Sequence, residues 1–406
     1  MPGVLPSTYT KRLFKVQSGQ ETTWGTPVVA TAKWMAVKPY PSFKPMFKST
    51  GYDEDRGGLA QFYNSNVLAQ GVNWQVDWEY ATYEEMLFAA FNTIQAVTPT
   101  GGGPYTYTFL SPTTAVNSLT PFTLEYAYDI ATVQYYGNLS QKLTIKGEAE
   151  KQWDVSISGF GKGFNLFNPA NIASSTNATP IVITTSVALP ASMVTGSQVV
   201  ISGHLVNTAA NGEWTITKTG ASTFSLTGST GNGVGAGTGT YTQVETPALA
   251  DRTVNAIITP GMTLAIDPAG VTPGTTSVPN ALLSWQIDYS NGLKPIYGAD
   301  SLQPVAYSWD KVSVDLTLEL LLNAQVKALV NNSMANGTGQ VIQLKQTSGT
   351  SSCEIDFAGI LTDDPEEWGS KEGAASVSLK LSSRYDTGSL ANQFKMIVIN
   401  GVSALP

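Results

Sequence analysis

Residues able to do covalent or metal chemistry are sparse: one histidine, His204, and one cysteine, Cys353, stand far apart in 406 residues. A serine or cysteine nucleophile needs a histidine base beside it, and a zinc site needs several His or Cys ligands, so neither device is expected. Cys353 sits in C-E-I-D-F as a small apolar strand residue, and His204, next to Gly203, reads as an ordinary turn or surface residue. Paired carboxylates remain, in Asp77/Glu79, Asp315/Glu319 and the run Asp363, Asp364, Glu366 and Glu367. Two carboxylates suffice for glycoside hydrolysis, but alternate strand positions put the first pairs side by side on a wet face, and the third set is a solvated charge run. Gly231 to Gly237, G-N-G-V-G-A-G, resembles a phosphate loop without the following helix that would supply its amide dipole. No enzymatic activity, cofactor or metal is therefore expected.

Two stretches of one design place these carboxylates. From Val72 to Tyr80 the chain alternates, with Val72, Trp74, Val76, Trp78 and Tyr80 on one side and Asn73, Gln75, Asp77 and Glu79 on the other. That is a strand with one buried and one wet face. Thr82 and Glu85 then form a capping-box pattern, and Met86, Leu87, Ala90 and Phe91 fall on one helical stripe, so Trp74, Trp78, Met86, Leu87 and Phe91 are expected to pack strand on helix. About 240 residues later, Val312 to Leu320 repeats the alternation, with Ser313, Asp315, Thr317 and Glu319 on the polar side and Asn323 as the cap of a second helix. Such a pair suggests an internal duplication.

Composition sets outer bounds. Charged residues are 13% of the chain, and 30 Asp and Glu outweigh 22 Lys and Arg, for a net charge of -8. Gripping a phosphate backbone needs clustered cations, so nucleic-acid binding of that kind is not expected. The start, M-P-G-V-L-P-S-T-Y-T-K-R, has no apolar signal-peptide core, and nowhere do about 18 apolar residues run together, so no membrane partner is expected.

Taken in order, residues 1–30 read as an extended N-terminal arm, followed by a first β-domain over 31–172. Within it, proline-rich Trp34 to Phe47 reads as an edge strand, and G-Y-D-E-D-R-G-G (Gly51 to Gly58, with Asp53, Glu54, Asp55 and Arg56) as a charged loop. Residues 173–248 change texture, with little charge and much Thr, Ser and Gly, and read as a small inserted β-module on flexible shoulders, Asn171 to Asn177 and Gln243 to Ala250. A second β-domain fills 249–406 and carries its own acidic loop, Thr362 to Glu367. The fold class expected is mainly β, with a short packing α-helix in each large domain and an inserted small β-barrel.

The stretch G-Q-E-T-T-W-G-T-P (Gly19 to Pro27) resembles the G-x-E-x-x-x-G-T opening of tail tube proteins, the major tail proteins of long-tailed, non-contractile bacteriophages. The long hairpin, the strand running into a helix and the duplicated plan are similar to members with two fused tube domains. Separately, A-A-N-G-E-W-T-I-T (Ala209 to Thr217) with T-F-S-L-T-G-S-T-G (Thr223 to Gly231) resembles a small β-barrel module that decorates phage virion proteins. The resemblance implies a virion protein made in the host cytoplasm, forming stacked rings whose inner strands make one barrel around a DNA channel. The ring expected is a homotrimer with pseudo-six-fold symmetry, or a homohexamer should one half alone line the channel. Its partners are other copies of itself, tape measure, tail terminator and distal tail proteins, and DNA that passes without specific binding. Asn73, Gln75, Asp77, Glu79, Ser313, Asp315, Thr317 and Glu319 would line the lumen as an acidic wall lacking Lys or Arg, and the two charged loops would meet neighbouring rings. The competing expectations are a Thr/Gly-rich bacterial surface or adhesin-like protein, or another tail, baseplate or capsid component.

Overall fold

The computed structural model describes residues 15–35, 37–38, 42–54, 62–94, 99–100, 102–116, 118–127, 132–166, 169–245, 249–337, 339–362, 369–371 and 373–403. Its first half comprises β1 (Lys15–Gln20), β2 (Ala32–Trp34), β3 (Ser42–Glu54), β4 (Phe62–Asp77), α1 (Tyr83–Thr93), β5 (Tyr105–Leu110), β6 (Phe122–Ala127), β7 (Thr132–Glu148), β8 (Asp154–Gly161) and β9 (Gly163–Leu166). The inserted module holds β10 (Ala170–Ser175), β11 (Val182–Thr185), β12 (Gln198–Ser202), β13 (Gly212–Lys218), β14 (Thr223–Leu226), β15 (Gly235–Ala236) and β16 (Thr240–Glu245). The second half holds β17 (Thr263–Pro268), β18 (Leu282–Ser290), β19 (Leu293–Tyr297), β20 (Pro304–Trp309), β21 (Ser313–Leu321), α2 (Ala324–Asn336), β22 (Gln340–Ser348), β23 (Ser351–Leu361), β24 (Gly369–Lys371), β25 (Ala374–Ser383) and β26 (Phe394–Asn400). The protein is mainly β, as its alternating, β-branched and aromatic stretches imply.

The two halves share one pairing scheme. In the first, β3 pairs with β4, β4 with β8, β8 with the later part of β7, and the earlier part of β7 with β6 and β9, while β6 pairs with β1. In the second, β18, β21, β25, β23, β22, β26 and β17 take the same places in turn. All these pairs are antiparallel, and the strand that runs into the helix is β4 in one half and β21 in the other. The duplication thus lies in topology.

In both halves one long strand, β7 or β23, serves two sheets. Its later part joins an inner sheet and its earlier part an outer sheet, so the layers form a sandwich over a shared core. The later part of β7 also pairs with β18, from Lys142 opposite Ser290 to Glu148 opposite Ser284, which fuses the two inner sheets. The inner sheet then runs β3-β4-β8-β7-β18-β21-β25, with the end of β23 and then β24 sharing the last place beside β25. It has eight strand positions, four from each half.

α1 forms where Thr82, extended at φ -116 and ψ 161, accepts the Glu85 amide at 3.0 Å. The expectation of a single buried stripe is corrected, because every residue of α1 is buried, Glu84 and Glu85 included. Trp34 stacks on Trp78 (5.4 Å) and meets Phe88 edge-on (4.3 Å), while Trp74 and Phe88 both reach Phe122, so the pairing of Trp74 and Trp78 with the helix is made through a cluster of rings. Met86, Leu87 and Phe91 lie in the same core.

The module is a closed six-strand barrel, β10-β11-β14-β13-β12-β16 and back to β10, around its own core of Ile181, Ile183, Met193, Val199, Ile216 and Phe224. Its shoulders are not loose. Asn171 to Ser175 and Gln243 to Glu245, read as parts of flexible shoulders, belong to β10 and β16, which close the barrel where Ala170 and Asn171 pair with Tyr241 and Thr240. The segment expected as an N-terminal arm is likewise corrected from Lys15 onward: β1 lies between β2 and β6 in the outer sheet, with Gln17 and Ser18 buried.

Candidate functional site

The open side of the inner sheet brings together the polar residues singled out in both halves. Cross-strand register sets them in rows. One row runs Asp77, Ser156, Thr144, Asp288, Asp315, Ser382, and a second runs Gln75, Ser158, Lys142, Ser290, Ser313. A third runs Asp154, Lys146, Gln286, Thr317, Lys380, and a fourth Glu148, Ser284, Glu319, Ser378. Asp77 and Asp315, 238 positions apart by their numbers, therefore stand in one line across the sheet. Asn73 extends the face toward Lys44 on β3. Glu79 lies beyond the end of β4, exposed in the bend before α1.

The opposite side of the same strands is core: Val76, Ile157, Leu143, Tyr289 and Val314 make one apolar row, and Val155, Ile145, Ile287, Leu316 and Leu381 another. A period of two thus separates a buried face from a face on which Asn73, Gln75, Asp288, Ser313 and Asp315 are exposed or nearly so.

Polar side chains on the open face satisfy one another laterally. Gln75 Nε2 donates to Asp77 Oδ1 (3.0 Å), Thr144 Oγ1 to Asp288 Oδ1 (2.7 Å), Ser382 Oγ to Asp315 Oδ1 (2.6 Å) and Ser284 Oγ to Glu319 Oε2 (2.9 Å). Asp288 and Asp315 oppose each other directly, and each carboxylate turns to a hydroxyl on the strand away from the other.

The wall is not uniformly acidic. Lys44, Lys142, Lys146 and Lys380 stand on this face among Asp77, Glu148, Asp154, Asp288, Asp315 and Glu319, which corrects the expectation of a surface without cations. The signal was present in K-L-T-I-K (Lys142 to Lys146) and S-L-K-L (Ser378 to Leu381), whose alternation gives the lysines the polar side. Lys146 faces Asp154 across β7 and β8, so cationic and anionic groups are interleaved.

Glu21 explains the G-x-E-x-x-x-G-T stretch. Its buried carboxylate accepts from the Gly137 amide (2.7 Å) and Thr123 Oγ1 (2.8 Å) on one oxygen and from the Gly25 amide (2.7 Å) on the other. Gly25, at φ +83, supplies the left-handed turn that returns its amide to Glu21. Trp24 Nε1 donates to Gly137 O (2.8 Å), and Lys162 lies over the Trp24 ring. Burial raises the Glu21 carboxyl pKa against the pull of these donors and of Lys162. The motif is a clasp between the segment after β1 and the β6–β7 region.

Glu85 departs from its expected role. Its carboxylate accepts from the Met35 amide (2.8 Å), Trp78 Nε1 (3.1 Å) and Arg252 Nη2 (2.8 Å), so it binds the segment after the barrel to α1 and β2. Burial raises its pKa to about 7, opposed chiefly by Arg252.

Asp53 and Glu54, expected in a loop, are the last two residues of β3, with backbone paired to Tyr63 and Phe62. Asp55, Arg56, Asp363, Asp364, Glu366 and Glu367 lie outside the described residues. His204 is buried, not on the surface: its amide donates to Asn211 Oδ1 (2.9 Å), Asn211 Nδ2 returns a bond to its carbonyl (2.9 Å), and burial lowers its pKa. Cys353 is fully buried in β23, and burial pushes its thiol pKa far up. Among the described residues no group of three His, Cys, Asp or Glu side chains is placed to hold a metal, and no helix is long and apolar enough to cross a membrane. No protein-family model and no curated protein sequence matches this chain.

Proposed function

We propose that this chain is a structural virion protein, the tail tube protein of a long-tailed, non-contractile bacteriophage, made in the host cytoplasm and assembling into stacked rings that enclose a channel for DNA delivery. The observation that carries the reading is the inner sheet: eight strand positions, four from each half, one face core and the other carrying the four rows of polar residues that cross both halves. Strands about 4.8 Å apart and tilted about 40° close at roughly 8 per barrel to a backbone diameter of about 16 Å, and at roughly 24 to about 48 Å. Duplex DNA is about 20 Å across. One copy is too narrow, and three copies, each giving both halves, enclose it with room for side chains. Equal contributions from the halves favour the trimer with pseudo-six-fold symmetry over the hexamer.

In this reading the rows through Asp77, Gln75, Asp315 and Thr317 form the lumen wall. Interleaved Lys and Asp or Glu offer a passing phosphate no continuous cationic track, and Gln75, Thr144, Ser284 and Ser382 already donate to neighbouring carboxylates, so DNA slides without specific binding. Tape measure, tail terminator and distal tail proteins are the chain's other partners in the tail. Negative-stain microscopy of the purified chain at high concentration tests the proposal. Hollow tubes of regular axial repeat, three-fold in top view, are expected, and a chain that stays monomeric would instead favour the bacterial surface-protein reading.

A further inference from the structure

The lysines of the open face are not alike. Lys146 stands directly opposite Asp154, whereas Lys44 on β3 and Lys142 on β7 are exposed and have no carboxylate partner among the described residues. The acids nearby are engaged elsewhere. Lys142 faces Ser290 on β18, and Asp288, two residues along, is turned to Thr144, while Asp77 on β4 accepts from Gln75. Between the two lysines lies a cleft of about 470 Å³ whose lining includes Ser42, Asn73, Gln75 and Ser158 and no Asp or Glu. Its shape follows from the strand register. β7 bulges at Gln141, since Ser140 pairs with Gly159 and Lys142 with Ser158, and the Gln141 amide fixes the bulge by donating to Leu293 O (2.6 Å). An extra residue of this kind re-aims the side chains that follow it. Lys142 thereby joins the row Ser42, Gln75, Ser158, and the strands of Lys44 and Lys142 stand three spacings, about 14 Å, apart.

Two ammonium groups facing each other across neutral donors, with no acid between them, suit an anion of more than one charge and several acceptor oxygens. A phosphate group has about -1.5 to -2 charges at neutral pH and three such oxygens, and lysine meets it as a point charge. The hydroxyls of Ser42 and Ser158 have no hydrogen-bond partner among the described residues and are free to donate. We infer that this cleft binds one phosphate group per chain, held between Lys44 and Lys142. The second half has no counterpart, because β18, which takes the place of β3, presents Ser284, Gln286, Asp288 and Ser290 on this face. A free phosphate and a phosphate of a nucleic-acid backbone offer the same chemistry. The site belongs to the folded chain and does not depend on the ring reading. Within that reading it is one isolated point of contact per copy, short of the continuous track that would hold DNA.

Isothermal titration of inorganic phosphate into the full chain, at low ionic strength and neutral pH, is expected to show one saturable site. Lys44→Gln and Lys142→Gln should each weaken it about tenfold with circular dichroism spectra unchanged. Lys327→Gln, at an exposed lysine on α2, matches the loss of charge and should bind as wild type does. No saturable site in wild type, or an affinity untouched by both cleft substitutions, overturns the proposal. An equal loss in Lys146→Gln overturns it too, because an anion drawn only by the charge of the face would feel that lysine as much. A short DNA duplex added to the phosphate-loaded chain separates the two sources: displacement of phosphate assigns the site to a nucleic-acid backbone, and its retention assigns the site to the free anion. The titration is read on the dispersed chain, so failure of the ring reading leaves the site standing, and failure of the site leaves the rings standing.

Discussion

Glu85 sits at the third helical position of α1 with its carboxylate fully buried beside Arg252. Because burial raises its folded pKa to about 7 from an ordinary value of 4.5, the folded chain holds a proton that the unfolded chain releases between those values. Its contribution to stability is complete below about pH 4.5 and disappears as pH rises through 7, a change of about 3 kcal/mol. In Glu85→Gln that contribution is missing, so urea denaturation at pH 4.5 and pH 8 should show the variant gaining by about 3 kcal/mol relative to wild type; parallel pH profiles would refute the assignment. Glu21 acts in the opposite sense to a replaceable surface acid. Glu21→Ala strands the Gly25 and Gly137 amides and the Thr123 hydroxyl without their acceptor, and a loss of about 3 kcal/mol or more is expected in equilibrium denaturation. Both residues stood out in the sequence as members of motifs, yet neither partner set was legible there: Arg252 is 167 positions from Glu85 and Gly137 116 from Glu21. A capping pattern describes one turn of backbone, whereas the energy of a buried carboxylate depends on whichever distant donors the fold delivers. His204 shows the same limit, since a lone polar residue beside glycine carries no mark of burial.

At the scale of strands and helices, alternation was the dependable signal. Val72 to Asp77 and Val312 to Leu320 each fall with the expected side inward, because a one-residue slip would bury every polar residue of the strand. Alternation assigns a face but is silent on neighbours. Nothing in Tyr105 to Leu110 announced that β5 extends the outer sheet of the second half beside β26, a pairing that separates its residues by nearly 300 positions. The junction of the halves is the element most open to test. On β7, Gly147 lies opposite Trp285 of β18, and a Cβ there would stand 2.2 Å from the indole nitrogen, so Gly147→Ala must displace a ring packed edge-on against Trp153. A cost of about 1–3 kcal/mol is expected from denaturant midpoints. Across the next strand pair, Asp315→Asn removes the like charge facing Asp288 and should stabilise by about 0.2–1 kcal/mol, an effect that shrinks in high salt.

The whole molecule is two copies of one strand scheme with a closed barrel between them. That the middle segment is a separate module was legible from its texture, and its edges were not, because Asn171 to Ser175 and Gln243 to Glu245 look like linker until their strands, β10 and β16, are seen paired at Ala170–Tyr241 and Asn171–Thr240. Since Ala170 and Tyr241 are paired neighbours and the barrel has its own core, replacing 170–245 with a short flexible linker should leave the remaining sandwich folded. A cooperative thermal transition and the wild-type oligomeric state are expected of that deletion variant, and loss of either would mean that the barrel supports the sandwich. The β7–β18 seam between the halves bears on kinetics as well as on shape. Each association of free molecules costs several kcal/mol of translational and rotational freedom before any contact stabilises it. In a ring of three such chains, half of the half-to-half seams form at the effective concentration set by a covalent tether and need no encounter in solution. Ring closure then depends on the third power of protein concentration rather than the sixth, so dilution that would leave six separate halves dispersed still permits three fused ones to meet.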